Sequence, residues 1–332
     1  MLIDQCVNTL HWLLAHTNFG HIPSEWILGL LLIIGISVLL PKPSPRWALA
    51  ILAVLFMYRP WAVDHPRLIV HDIGQGSAAT LMSASSRGIF DLAAGQADRW
   101  SRIGQFLPSS RGQTIDAIFV SHGDMDHAGG LTATIQSTPI PRVIEGGGSL
   151  DGWLGSCRRL HTLGNVTVEL LWPLSPVDGS ENRRSCVYLL SSLDRYVLLM
   201  GDADWFSEAQ IVKALHRRGL IGKIDAVVVS HHGARDGSNP SFVSLVGAKH
   251  ALVSVGRANR YGHPHSDVLE RWAESGATIH RTDFDGALSF DFQTGGVTRY
   301  RETNPQRWIS SRAVRQRDGS FDQSITDSPA GD

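Results

Sequence analysis

Apolar positions along this chain follow two regimes. In the first sixty residues they form long uncharged runs: residues 26–40 read WILGLLLIIGISVLL, residues 47–58 read WALAILAVLFMY, and a shorter piece covers 10–14. From residue 67 onward the runs are short, β-branched and punctuated by Gly, Asp and Asn. Residues 68–70, 78–82, 89–91, 115–120, 166–171, 196–200, 224–230 and 251–255 read as strands. Several are apolar throughout, as in strands buried on both faces. Residues 207–218 read instead as an amphipathic helix, opened by Ser207 and Glu208. The tail from Glu302 is polar, lacks periodicity and is expected to be disordered. The chain therefore divides into 1–66, 67–301 and 302–332.

The two uncharged runs are shorter than the roughly 17–25 residues of a lone spanning helix. Trp26, Trp47, Tyr58 and Trp61 nevertheless stand at their ends, as interfacial aromatics do. Residues 1–66 are expected to form a membrane segment of about two transmembrane helices in contact with lipid; the alternative is a pair of buried core helices. A signal peptide does not fit, because no basic start precedes a single apolar run. Lys42 and Arg46 lie between the runs and no Lys or Arg precedes the first. The positive-inside rule then puts that hairpin in the cytoplasm and the large domain on the outer side of the inner (plasma) membrane, periplasmic in a Gram-negative cell.

Composition adds two constraints. With 43% hydrophobic and 18% charged residues the chain can build a substantial core, and a formal net charge of −1 leaves no global basic field to attract a polyanion. Nucleic-acid binding would have to come from local patches. Cys6, Cys157 and Cys186 are isolated, show no CxxC spacing and do not read as a disulfide framework.

The chemistry concentrates in residues 115–130, IDAIFVSHGDMDHAGG. A buried strand runs out into His122, Asp124, Asp126 and His127, closed by Gly129-Gly130. Imidazole and carboxylate together suit Zn²⁺, Mn²⁺ or Fe. Four ligands in six residues are too crowded for a single ion to take all of them and fit two adjacent ions, each taking part of the set. Residues 224–230 (IDAVVVS) nearly repeat 115–121 (IDAIFVS), and each copy ends in histidine, His122 and His231. Two such halves imply one site at the edge of paired sheets, in an α/β fold of αββα sandwich type. The repeat ranks His231 above His232 as a ligand and leaves His232 and Gly233 lining the site. Asp202 directly follows a buried strand, with Asp204 as the nearby alternative. His161 has no metal-like context and reads as structural; Arg158 and Arg159 read as a solvated pair.

His-x-Asp-x-Asp-His resembles the metallo-β-lactamase superfamily signature, with Asp124 at a position usually held by His. Further stretches resemble the ComEC-type DNA-uptake (competence) proteins. They are Asp72-Ile73-Gly74-Gln75-Gly76-Ser77, with Ser77 where Asp is usual; the Asn-x-x-Ser opening at Asn182; the loop Gly256-Arg257-Ala258-Asn259-Arg260-Tyr261-Gly262-His263-Pro264; and Arg281-Thr282-Asp283 before Gly286-Ala287. The resemblance covers about residues 20–300 and implies a metallo-β-lactamase-like domain behind the last helices of a longer channel. It implies that Asp202 bridges two metals and that His122, Asp124, Asp126, His127, Asp202 and His231 hold one or two divalent ions, Zn²⁺ or Mn²⁺. Asp124 shifts the preference toward Mn²⁺. No histidine stands near Asn182, so one metal position is a ligand short, with Asn182 or water filling in.

The implied activity is metal-assisted phosphodiester hydrolysis of incoming single-stranded DNA. Asp126, His232 and His263 are the expected catalytic residues, His263 as ligand or general acid. Asn182, Arg257, Asn259, Arg260 and Tyr261 are expected to touch phosphates and bases. The remaining helices of a DNA-uptake channel are the expected partner. A non-hydrolytic DNA-guiding module and another hydrolase on the same fold are the competing expectations.

Overall fold

The computed structural model describes residues 65–83, 86–93, 115–132, 134, 143–145, 157 and 160–303. The two apolar runs, Cys6, Arg158, Arg159 and the tail beyond Thr303 lie outside them. Among the described residues no helix is long and apolar enough to cross a membrane.

Among the described residues, fourteen strands build two sheets. The first sheet contains β1 (Arg67–Val70), β2 (Ala78–Ser83), β3 (Ser86–Leu92), β4 (Ala117–Val120), β5 (Val143–Glu145), β13 (Leu288–Asp291) and β14 (Val297–Arg299), in the order β14-β13-β1-β2-β3-β4-β5. The second contains β6 (Leu160–Leu163), β7 (Val166–Trp172), β8 (Val187–Ser192), β9 (Arg195–Leu199), β10 (Ala226–Val228), β11 (His250–Val253) and β12 (Thr278–Arg281), in the order β12-β11-β10-β9-β8-β7-β6. The helices are α1 (Met125–Ala128), α2 (Trp205–Arg217), α3 (Pro240–Val246), α4 (Ser266–Glu274), α5 (Thr282–Asp285) and α6 (Tyr300–Thr303).

Strand alternation explains the layering. Phe90 and Phe119 from one sheet meet Leu170, Tyr188, Val197 and Leu252 from the other in the central core. Their neighbours point outward. Leu198, Val227 and Val253 pack under Ile211, Leu215, Phe242, Val246 and Trp272 of α2, α3 and α4. Ile118 and Val120 pack on the far side with Ala128 of α1 and Leu131. Because both faces of β4 and β10 are covered, their sequences are apolar throughout rather than alternating. The layers are those expected for an αββα sandwich.

The sequence repeat is a structural repeat. Asp116 donates its backbone N–H to Arg87 O at 2.9 Å, and its Oδ2 accepts Arg87 N–H at 2.7 Å. Asp225 does the same with Tyr196, at 2.9 and 3.0 Å. Each aspartate pins its strand beside a parallel neighbour, β4 against β3 and β10 against β9. Both strands then deliver histidines from their carboxyl ends to one edge of the sandwich, where ligands of parallel sheets gather.

The cysteine reading is corrected. Cys157 and Cys186 form a disulfide, tying the start of β6 to the start of β8. The two are 29 residues apart with no motif between them, so only the pairing of β6, β7 and β8 brings them together.

Candidate metal centre

Asp202, just past β9, is the hub. It is 2% exposed and accepts no water-facing role. Its Oδ1 lies 2.9 Å from His127 Nε2 and 4.0 Å from His232 Nε2; its Oδ2 lies 3.5 Å from His231 Nε2 and 3.7 Å from His122 Nε2. One carboxylate thus presents an oxygen to each of two histidine pairs. Asp124 Oδ2 stands 3.4 Å from His122 Nε2, and Asp126 Oδ2 stands 3.4 Å from His232 Nε2. Among the described residues, two groups are tight enough to hold an ion: His122, His127 and Asp202, and Asp126, His127 and His232.

The donor set fits a divalent metal. His122 Nε2 is buried without a hydrogen-bond partner. His127 Nε2 and His232 Nε2 face each other at 3.2 Å. Nitrogen and carboxylate oxygen without thiolate suit Zn²⁺, Mn²⁺ or Fe. The charges follow the same plan. Asp202 is deeply buried, which raises its pKa, but His127 and His232 outweigh burial and hold the carboxyl well below the usual range. Burial likewise opposes ionisation of Asp126, yet the bond to His232 and the charge of His127 bring it down to about 2. Burial, with His127 beside it, lowers His122.

Backbone shape serves the centre. His231 and His232 both sit at positive φ, 49° and 55°, in a short turn that splays consecutive rings to different partners. Non-glycine residues adopt that region at a cost of about 1–3 kcal/mol, held here by surrounding bonds. His232 Nδ1 donates to Ser254 O at 2.9 Å, and His231 Nδ1 donates to Asp236 at 2.8 Å. Gly76 has φ +125°, and a Cβ there would come within 2.7 Å of Asp126 O; Ser77 N–H donates to that same carbonyl at 2.9 Å. The Gly-Gln-Gly turn therefore seats the Asp126 loop.

The geometry does not rank His231 over His232 as the repeat does: His232 is 3% exposed and belongs to a tight group with Asp126 and His127, while His231 is a quarter exposed and lies 3.5 Å from Asp202, against 4.0 Å for His232. Sequence repetition marks His231, but the left-handed turn after it swings the next ring inward. Asn259 is also corrected. Its amide donates to Gly256 O and His263 O, and its Oδ1 accepts from Tyr261 N and His263 N. It clasps its own loop and has no capacity left for a substrate. Asp204 is the N-cap of α2, accepting Ser207 N–H, and not a ligand.

The other expected residues take these places. Asn182 Nδ2 lies 3.4 Å from His231 Nδ1. His263 is 5.8 Å from the His231 ring and joins neither tight group; burial, then His231, lowers it to about 4. Arg257, Arg260 and Tyr261 are exposed at the rim, with Arg260 over the Tyr261 ring at 4.8 Å. His161 packs on Phe119.

Sequence reading missed the residues that orient the ligands. Asp91 (φ 55°) bonds His127 Nδ1 at 2.8 Å and accepts from Ser121 N–H and Oγ–H. Ser185 Oγ sits 3.3 Å from His122 Nδ1 and accepts Asp202 N–H at 3.2 Å. An aspartate at the end of an apolar strand, beside a second strand ending in histidine, was the available signal for Asp91.

No family model matches the chain. Over 258 residues, 77% of this chain, it is 30% identical to competence protein ComA of Neisseria gonorrhoeae. It is 29% identical over 240 residues to recombination protein 2 of Haemophilus influenzae. The chain is a ComEC-type competence protein relative. It spans only 37% and 29% of the length of those two proteins. The metallo-β-lactamase fold protein YhfI of Bacillus subtilis overlaps with a TM-score of 0.45 at 13% identity, covering 69% of this chain and all of that one. The paired sheets with the His-x-Asp-x-Asp-His turn at their edge form the αββα sandwich expected from the sequence.

Proposed function

We propose that this chain is the metal-dependent phosphodiesterase part of a DNA-uptake protein. The observation that carries the reading is Asp202, placing one oxygen before His127 and His232 and the other before His122 and His231. A carboxylate so shared suits one or two divalent ions, Zn²⁺ or Mn²⁺, which when bound supply water activation and charge neutralisation on a phosphoryl group. The ligands would come from His122, Asp124, Asp126, His127, Asp202, His231 and His232.

The chain's own residues do the rest. Asp91 and Asp236 hold the rings of His127 and His231 in fixed tautomers. Arg257 and Arg260 offer exposed guanidinium groups to phosphates, and Tyr261 offers a ring to a base. His263 stands beside His231 as a neutral ring.

Residues 26–40 and 47–58 would anchor the chain in the inner membrane lipid, with the domain extracytoplasmic. The Cys157–Cys186 disulfide supports that side, because disulfides persist in oxidising compartments. The other helices of a DNA-uptake channel would be its partner in the membrane.

The test is cleavage of end-labelled single-stranded DNA by the full chain with Mn²⁺, Zn²⁺, Mg²⁺ or EDTA, beside an Asp126→Ala/His127→Ala control. Metal-dependent cleavage lost in EDTA and in the control is expected. A folded chain that binds DNA and never cuts it would overturn the nuclease reading and favour a guiding module. The observation favouring that second reading is that the Asn182–Ser185 turn brings an amide and a hydroxyl, not an imidazole, to His231 and His122.

A further inference from the structure

Trp205 is 45% exposed, though tryptophan is a residue that folding usually covers. It opens α2, after the N-cap Asp204. Its orientation is fixed at two points. The indole N–H donates to Gly237 O at 3.1 Å, and the backbone N–H donates to Asp236 O at 3.0 Å. Asp236 is the residue that holds His231, at 2.8 Å. The ring is therefore tied, through a single residue, to the metal centre. No ring or guanidinium lies over it among the described residues.

Beside it, Phe206 is also exposed, and Arg183 lies over the Phe206 ring at 4.8 Å. Arg183 is engaged there, pairing with Asp204 Oδ2 at 2.9 Å, so it is the open indole that offers a face to a base. We propose that Trp205 is a stacking platform for a nucleobase of the DNA strand, reached from His231 through Asp236, while Tyr261 is reached from His231 through His263. This rests on the phosphodiesterase reading and adds a second subsite to it. A strand crossing the centre would then be gripped by bases beyond the reacting phosphate, which requires those bases to be unpaired. The site is thus selective for single strands.

The test is binding of the full chain to labelled oligothymidylate in EDTA, and to an abasic strand of equal length. Trp205→Ala is expected to weaken oligothymidylate binding about tenfold and to leave abasic binding unchanged. Trp205→Phe, which lacks the Gly237 bond but keeps a ring, is expected to recover most of the loss. Equal affinity of wild type and Trp205→Ala for oligothymidylate overturns this subsite while leaving the parent reading intact. Equal losses on both strands, or in both variants, also overturn it, since the residue would then act through loop position. A wild-type chain that binds neither strand overturns the subsite and the parent reading together.

Discussion

His127 Nε2 and His232 Nε2 meet 3.2 Å apart inside the domain, with the Asp202 carboxylate 2.9 Å from the former. Burial alone would lower His127, but Asp202 and Asp91 on its two nitrogens prevail and raise it well above an ordinary histidine. Without metal it therefore carries a proton, which a metal ion has to displace. Metal affinity should climb as pH rises, by about tenfold per unit for one proton released, until the raised pKa of His127 is passed. Calorimetric titration with Mn²⁺ in two buffers of different ionisation enthalpy reads the proton count directly. An affinity flat between roughly pH 6 and 8 would mean that His127 does not ligate.

Asp91 holds the His127 ring and, through Ser121, the end of β4. Asp91→Asn keeps the size and tolerates the positive φ that the residue adopts, since Asn enters that region readily. It replaces a carboxylate acceptor by an amide and so removes the charge that fixes the tautomer. The expected result is a loss of about 10–100-fold in metal affinity with little change in the urea midpoint. A large drop in stability with unchanged affinity would make Asp91 a folding residue only.

Much of this was legible beforehand because it is periodic or local. The IDAIFVS and IDAVVVS runs gave both parallel strands and the edge where their histidines gather, and the six residues after the first run gave most of the side chains that meet around Asp202. Three things were not legible in the pattern. The left-handed turn at His231-His232 decides which ring goes inward, and φ is not written in a His-His pair. Asn259 looks exposed in sequence, yet four hydrogen bonds close its loop. Cys157 and Cys186 meet only because β6 and β8 flank β7.

Stability should fall in acid, for a reason outside the metal centre. His71, bonded to Thr80 Oγ1 at 2.7 Å, is lowered to about 4 by burial, and His280 to about 4 by burial and then His250. A histidine depressed in the folded state binds its proton first in the unfolded chain. Its contribution is complete above pH about 6.5 and is lost down to about 4. Glu208, buried and bonded to Ser230, Ser238 and Asn239, is raised to about 7 by burial and has the opposite slope, losing stability as pH rises toward 7. His71→Gln retains a donor for Thr80 and removes one titration. Between pH 6.5 and 4.5 it should lose about 2 kcal/mol less than wild type in urea unfolding. Parallel pH profiles for the two proteins would show that His71 is protonated in the fold.

The disulfide links stability to compartment. It closes a loop across 29 residues, which in chain-entropy terms stabilises by about 3 kcal/mol. It also abuts the centre, since Cys186 N–H donates to Ser121 O at 2.8 Å, one residue before His122, and Ser185 precedes it under the same ring. Cys157→Ser/Cys186→Ser should therefore lower urea stability by about that amount and weaken metal binding as well. Dithiothreitol should reproduce both effects in wild type and do nothing further to the double variant. The same bond reports on topology. Thiol trapping in intact cells should find Cys157 and Cys186 oxidised if the domain lies outside the cytoplasm. If trapping finds them fully reduced in a chain that is folded and membrane-bound, the domain faces the cytoplasm and the hairpin carrying Lys42 and Arg46 points the other way.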